Sequence, residues 1–243
     1  MPEQTVREGV LQVRHPDTRW LSTGWAGGYE TADAAYNVAV PEGWERTDLA
    51  AYLDERLARA DFETPGPAML TGVSMDHLAA ARLDDVVAYA TVGLSNPASL
   101  PQDPSGDGAS PESERPPAGT INLLVRTTRA LDDGALATLL ATVVEAKTAT
   151  VQATTGFTGT TSDAVIVGTD PTGESAAFAG SATPVGAAAR AAVREAFHAG
   201  LATRYASASV PETIADAEYG VKTDRRASAF DPVQDARSTQ TEP

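Results

Sequence analysis

Residues 119–169 read GTINLLVRTTRALDDGALATLLATVVEAKTATVQATTGFTGTTSDAVIVGT, and this run decides the architecture. Residues 119–126 form an apolar stretch of strand length, and a helix is expected from a cap near Asp132 to about Val151. A Gly/Thr-rich loop then leads to a second strand over 163–169. An alanine-rich helix follows over 185–205, with Val193, Phe197 and Leu201 as its larger contacts. The order strand, helix, strand, helix is the α/β pattern. It predicts a single domain built on a layered mixed sheet with helices.

Upstream, residues 19–25 and 34–40 look like strands separated by the Gly27–Gly28 turn, and Pro41–Glu42–Gly43 closes the second. Asp48 caps a helix through about Arg59, in which Leu49, Tyr52, Leu53 and Leu57 recur at helical spacing. Residues 68–73 and 86–94 are two further strands, bracketing a short helix capped at Ser74. Both are continuous apolar runs, as strands covered on two faces are. Residues 101–117, PQDPSGDGASPESERPP, hold five prolines, two glycines and no large apolar side chain. Such a segment buries too little to order itself, so it reads as a disordered surface insertion inside one domain spanning 1–221. The polar tail 222–243 is expected to fray.

Composition narrows the function classes. The 243 residues carry 33 acidic and 18 basic side chains, a formal charge of -15. That charge repels nucleic-acid phosphates, and no basic patch offsets it, so no nucleic-acid partner is expected. Of the 18 basic residues 16 are arginine, leaving Lys147 and Lys222. Acid-rich, lysine-poor chains are typical of salt-accumulating archaea, where surface carboxylate maintains solubility, so the acidity describes the solvent rather than a cationic ligand. Cysteine is absent, which excludes disulfides, thiolate-bound metals and a cysteine nucleophile. No apolar run approaches the roughly 18–20 residues that span a bilayer. The start, MPEQTVREGV, lacks the basic end and apolar middle of a signal peptide. A cytoplasmic protein without membrane association is expected.

On a helical wheel Leu136, Leu139, Leu140, Val143, Val144 and Val151 share one sector, with Lys147 near its middle and Glu145 opposite. A lysine in an apolar stripe must snorkel, meet a buried carboxylate, or titrate with a pKa lowered by desolvation. Glu145 reads as a solvated charge unless a second layer covers it. The loop TTGFTGTTSD, residues 154–163, packs two glycines and six hydroxyls between helix and strand. Such a loop can aim backbone N–H groups at a developing oxyanion and offers hydroxyl nucleophiles; a plain helix-to-strand connection is the alternative. It has no P-loop frame. His15, His77 and His198 are far apart in sequence and fit no metal-binding spacing, so neither a metal nor a cofactor is expected. There is also no G-x-S-x-G elbow for a serine triad.

Five strings carry a resemblance: W-L-S-T-G-W-A-G-G (Trp20 onward), T-V-G-L-S-N-P (Thr91 onward), G-T-I-N-L (Gly119 onward), V-E-A-K-T-A (Val144 onward) and T-G-T-T-S-D-A-V (Thr158 onward). In order and spacing the chain resembles the adenosylcobinamide amidohydrolase family over about residues 18–205. The resemblance implies a corrinoid-salvage enzyme that hydrolyses the aminopropanol amide of adenosylcobinamide to give adenosylcobyric acid for cobalamin assembly. A corrinoid-binding protein without catalysis, or a hydrolase of another amide, are the alternatives. Under that reading Lys147 serves proton transfer or charge stabilisation, with Glu145 the alternative base. Thr160 and Asp163 shape or join the oxyanion site, Asn96, Thr120 and Asn122 bind the amide, and Gly27 and Gly28 let backbone approach the ring. More faintly, the element order is similar to the αββα sandwich of self-cleaving aminopeptidases related to ornithine acetyltransferase, a likeness of fold alone. Their cleavage motif is absent here.

Overall fold

The computed structural model describes residues 3–41, 43–104, 119–217 and 219–232. Most of the Pro-rich insertion and the end of the tail lie outside the described residues.

A hairpin opens the chain, β1 (Glu3–Arg7) against β2 (Val10–Ser22). β3 (Gly28–Ala39) runs antiparallel to β2, α1 (Leu49–Arg59) crosses over, and β4 (Ala68–Thr71) returns parallel to β3. The second half repeats the scheme. After β5 (Ala79–Leu83), β6 (Val86–Val92) pairs antiparallel with the strand after the insertion. Counting β7 (Pro97–Ser99) in between, that strand is β8 (Ile121–Thr127). α2 (Asp133–Thr155) crosses over, and past β9 (Gly159–Thr160) comes β10 (Ala164–Thr169), parallel to β8. Because β10 also pairs antiparallel with β2, both halves share one eight-stranded sheet in the order β4-β3-β2-β10-β8-β6-β5, with β1 on β2. α3 (Pro184–Arg204) packs beside α2, capped by Thr183 and with proline at its first turn, where no N–H is needed.

The sheet doubles back on itself. β2 is bulged between Arg14 and Thr18, with Asp17 left-handed at φ 52, so its first half pairs with β1 and β3 while its last residues reach β10. Side-chain alternation then fills three interfaces. Val86, Ala88, Leu123, Val125, Val165 and Val167 face α2 and α3. Leu11, Val13, Ala35 and Met69 meet Val87, Tyr89, Leu124 and Ile166 between the two halves of the sheet. Val10, Tyr36 and Val38 meet Tyr52 and Leu53 of α1. The layers are α, β, β, α, the sandwich that the sequence suggested. Every residue of β6, β8 and β10 is buried, as strands covered on both faces must be.

Several elements differ from the sequence reading. β2 starts nine residues before the expected strand, because the strand runs on through a bulge at His15–Pro16–Asp17. Ser74 caps only a single 3-10 turn, Met75–His77, accepting from the Asp76 amide at 3.2 Å. The chain then enters β5, whose AAARL sequence favours helix but is overruled by pairing with β6. α2 runs on to Thr155 and ends at Gly156, left-handed at φ 80. The tail is tied down at its start: β11 (Val221–Lys222) joins β7 and β9 in a small second sheet, and Asp224 is buried. Among the described residues α2 is the one helix long and apolar enough to cross a bilayer by length and composition, a length that no single unbroken run of large apolar residues predicts. Half of that stretch is buried inside the fold, as in the core helix of a globular domain.

Candidate functional site

The starts of β8 and β10 and the ends of β2 and β6 meet at one end of the sheet, since Val92 pairs with Ile121, Ala164 with Asn122, and Ile166 with Ser22. The strings read above come together there.

At the centre is the Asp163 carboxylate, one residue before β10. It accepts from the Ile121 amide at 2.9 Å and the Thr160 amide at 3.1 Å, from the Thr160 hydroxyl, and from the Lys147 ammonium. Lys147 and Asp163 side chains are only 8% and 10% exposed, so the lysine in the apolar stripe of α2 has met a buried carboxylate. This ion pair is shielded from water, and removing either member strands the other. Gly159, left-handed at φ 151, is the close approach that permits it: a Cβ there would lie 2.6 Å from the Asp163 carboxylate and 3.3 Å from Lys147 Nζ. The loop 154–163 therefore folds a hydroxyl, a carboxylate and an ammonium into one chain of contacts.

A second, fully buried polar network adjoins it between the halves of the sheet. Asn122 accepts from the Thr120 hydroxyl at 2.8 Å and the Ala164 amide at 3.2 Å, and donates to Asn37 Oδ1 and the Leu70 carbonyl, both at 2.9 Å. Asn37 donates in turn to Thr91 Oγ1 at 3.0 Å, and Thr91 reaches Thr71 at 3.4 Å. Asn122 thus spends all four of its hydrogen bonds tying the layers together. Asn37, Thr71 and Thr91 escaped the sequence reading as site neighbours; a lone asparagine in the apolar run AAYNVAV was the available signal.

Asn96 donates to the hydroxyls of Thr161 at 2.7 Å and Ser162 at 3.3 Å, while its Oδ1 is buried without a partner. A buried acceptor left unmade is costly, by about 1–3 kcal/mol. Gly119 lets Asn96 come close, because a Cβ at that glycine would sit 2.5 Å from Oδ1. Gly27 and Gly28 lie in the β2–β3 turn: Gly27 has no room for a side chain against the Ser22 carbonyl, whereas Gly28, at φ 124, faces open space. Glu145 stands apart from the cluster. It is on the outer face of α2 in an exposed ion pair with Arg190 of α3.

The opposite end of the sheet holds a different cluster. Asp170 lies 3.1 Å from Arg126 and 3.2 Å from His15. Burial works to raise the Asp170 carboxyl, but hydrogen bonds from Thr172 and the charges of His15 and Arg126 outweigh it and hold it below the usual carboxylate range. Burial pushes the Arg126 guanidinium down, against the attraction of Asp170. Among the described residues no group of three or more His, Cys, Asp or Glu is placed to hold a metal.

Comparison with known proteins gives the family. The family model described as adenosylcobinamide amidohydrolase matches residues 3–209, which include both polar clusters. An adenosylcobinamide amidohydrolase of Halobacterium salinarum is 51% identical over 234 residues, covering 96% of this chain and 100% of the relative. One of Methanosarcina mazei is 29% identical over 198 residues, covering 77% of this chain and 92% of the relative. No solved structure matches. With the matched region enclosing the whole sandwich and the strings assembled at one sheet end, the chain belongs to the adenosylcobinamide amidohydrolase family.

Proposed function

We propose that the chain hydrolyses the amide between aminopropanol and the propionyl arm of adenosylcobinamide, releasing adenosylcobyric acid for cobalamin salvage. The observation that carries this reading is the linked Thr160 hydroxyl, Asp163 carboxylate and Lys147 ammonium beside Asn96. Amide hydrolysis requires an activated oxygen, a site for charge on the tetrahedral intermediate, and a proton for the leaving amine. The Thr160 hydroxyl, or a water bound in its place, is aligned by Asp163, which takes the proton as the oxygen attacks the carbonyl. The Lys147 ammonium balances negative charge at this point. The proton then passes to the departing aminopropanol nitrogen as the carbon–nitrogen bond breaks; where Thr160 is the attacking oxygen, a water deprotonated by Asp163 then hydrolyses the Thr160 ester, releasing the acid and restoring the hydroxyl. Asn96, donating to Thr161 and Ser162, holds the loop that carries Thr160 in place beside the scissile bond.

The test is incubation of the purified protein with adenosylcobinamide in molar KCl, with products followed by mass. Adenosylcobyric acid and free aminopropanol are expected, with Thr160→Ala and Asp163→Asn each lowering turnover by about 10²-fold or more. Tight corrinoid binding with no product would instead indicate a carrier, and failure of both binding and turnover would move the activity to another amide. Turnover is expected to survive exhaustive chelation; its loss, with recovery on adding one divalent ion, would overturn the metal-free reading.

A further inference from the structure

We infer that Trp25 is a specificity-determining residue of this site, the aromatic face on which a flat conjugated part of the substrate rests; the inference builds on the activity proposed above. Of the three tryptophans, Trp20 is wholly buried and Trp44 packs on Tyr52 at 5.1 Å between ring centroids. Trp25 is 47% exposed, on a chain whose surface is otherwise rich in carboxylate.

Its position is fixed by the sheet. β2 pairs with β10 so that Ser22 faces Ile166, and the pairing continues past the strand end: the Thr23 amide donates to the Val165 carbonyl at 2.9 Å, and the Val165 amide donates to Thr23 Oγ1 at 2.9 Å. Two residues further on, Trp25 lies in the turn at this end of the sheet, the end that also carries Asp163, the carboxylate that holds both Thr160 and Lys147. The turn carrying it is locked. A Cβ at Gly24 would lie 2.7 Å from the Ala68 carbonyl, Gly27 is pressed against the Ser22 carbonyl, and the Gly27 amide closes the turn on Gly24 at 3.0 Å. Ala26 is held left-handed at φ 51, a conformation unfavourable for any residue with a Cβ. The turn thus presents a rigid aromatic surface at the sheet end that carries the Thr160–Asp163–Lys147 chain, and a preorganised ring loses little entropy when a ligand covers it. The matching substrate feature is a flat conjugated system, which adenosylcobinamide supplies twice, in the adenine of its upper ligand and in the corrin ring.

The experiment measures Kd by calorimetry and KM and kcat by product assay for wild type, Trp25→Phe and Trp25→Ala, using adenosylcobinamide and, for Kd, cobinamide lacking the adenosyl group. Trp25→Ala is expected to weaken adenosylcobinamide about tenfold, with the loss in kcat/KM carried by KM, and Trp25→Phe to recover most of it. A loss confined to the adenosylated ligand assigns the ring to adenine, and an equal loss with both ligands assigns it to the corrin. Trp25 is exposed, and Trp25→Phe provides the folded control. A wild-type enzyme that turns over, with Trp25→Ala keeping its Kd and KM or losing kcat alone, overturns this inference and leaves the activity standing. A wild type that neither binds nor turns over corrinoid overturns both.

Discussion

Lys147 and Asp163 are bound to each other out of water, and that fixes what their variants will do. Lys147→Met keeps the apolar stem but leaves Asp163 as a buried charge with no counter-ion, so it should cost about 3–5 kcal/mol in denaturant unfolding as well as most of the turnover. Adding Asp163→Asn to it should restore part of the stability and none of the activity; no recovery would mean that the stranded charge is not the source of the loss. Glu145→Gln is the contrasting case. Its pair with Arg190 is exposed, so stability should change by less than about 1 kcal/mol and turnover should stay near wild type. A large fall in turnover would return Glu145 to the site as the base. At the far end of the sheet, Asp170 titrates below its unfolded value of about 3.9. Its stabilisation is therefore fully present above that pH and is lost as pH falls through the folded pKa. Asp170→Asn should lower the melting temperature at neutral pH, because it strands Arg126, and should flatten the further fall in stability below about pH 4.

At the scale of elements, the β2–β10 pairing joins the two halves of the molecule, and it depends on a glycine. Gly168 faces Trp20 across these strands, and any Cβ there would collide with the indole. Trp20 is fully buried and donates to the Ala32 carbonyl at 2.9 Å, so it has nowhere to move. Gly168→Ala should accordingly cost about 1–3 kcal/mol by overpacking, with turnover falling as the register that aligns Thr23, Val165 and Asp163 is disturbed. A thermal melt matching wild type would show that the indole can re-seat. The elements also show where local signals mislead. In β5, alanines that favour helix are recruited as an edge strand by hydrogen bonds to β6. In β2, a proline and an aspartate that signal a turn form the bulge at which the sheet folds over. Both outcomes were set by partners distant in sequence, which no local window contains.

For the whole molecule, the formal charge of -15 makes repulsion between surface carboxylates the largest salt-dependent contribution. Melting temperature and turnover should rise from low salt toward molar KCl as that repulsion is screened, in keeping with a relative from Halobacterium salinarum. A melting temperature flat across that range would contradict it. By itself the sequence determined the α/β class, the alternation of β8, α2 and β10, the burial of β6 on both faces and the family, because apolar periodicity, capping residues and ordered motifs are local properties of the chain. It also singled out Lys147 as a cation inside an apolar stripe, while leaving open whether that lysine snorkelled or met a carboxylate. Only the tertiary structure named Asp163 as its partner, paired Glu145 with Arg190 of α3 in an exposed contact, and linked Asn122 to Asn37 across the layers. Those outcomes depend on how a bulged strand carries one half of the sheet over the other, and on which buried donors then face which acceptors. The chain between such residues, 85 positions in the case of Asn37 and Asn122, records neither.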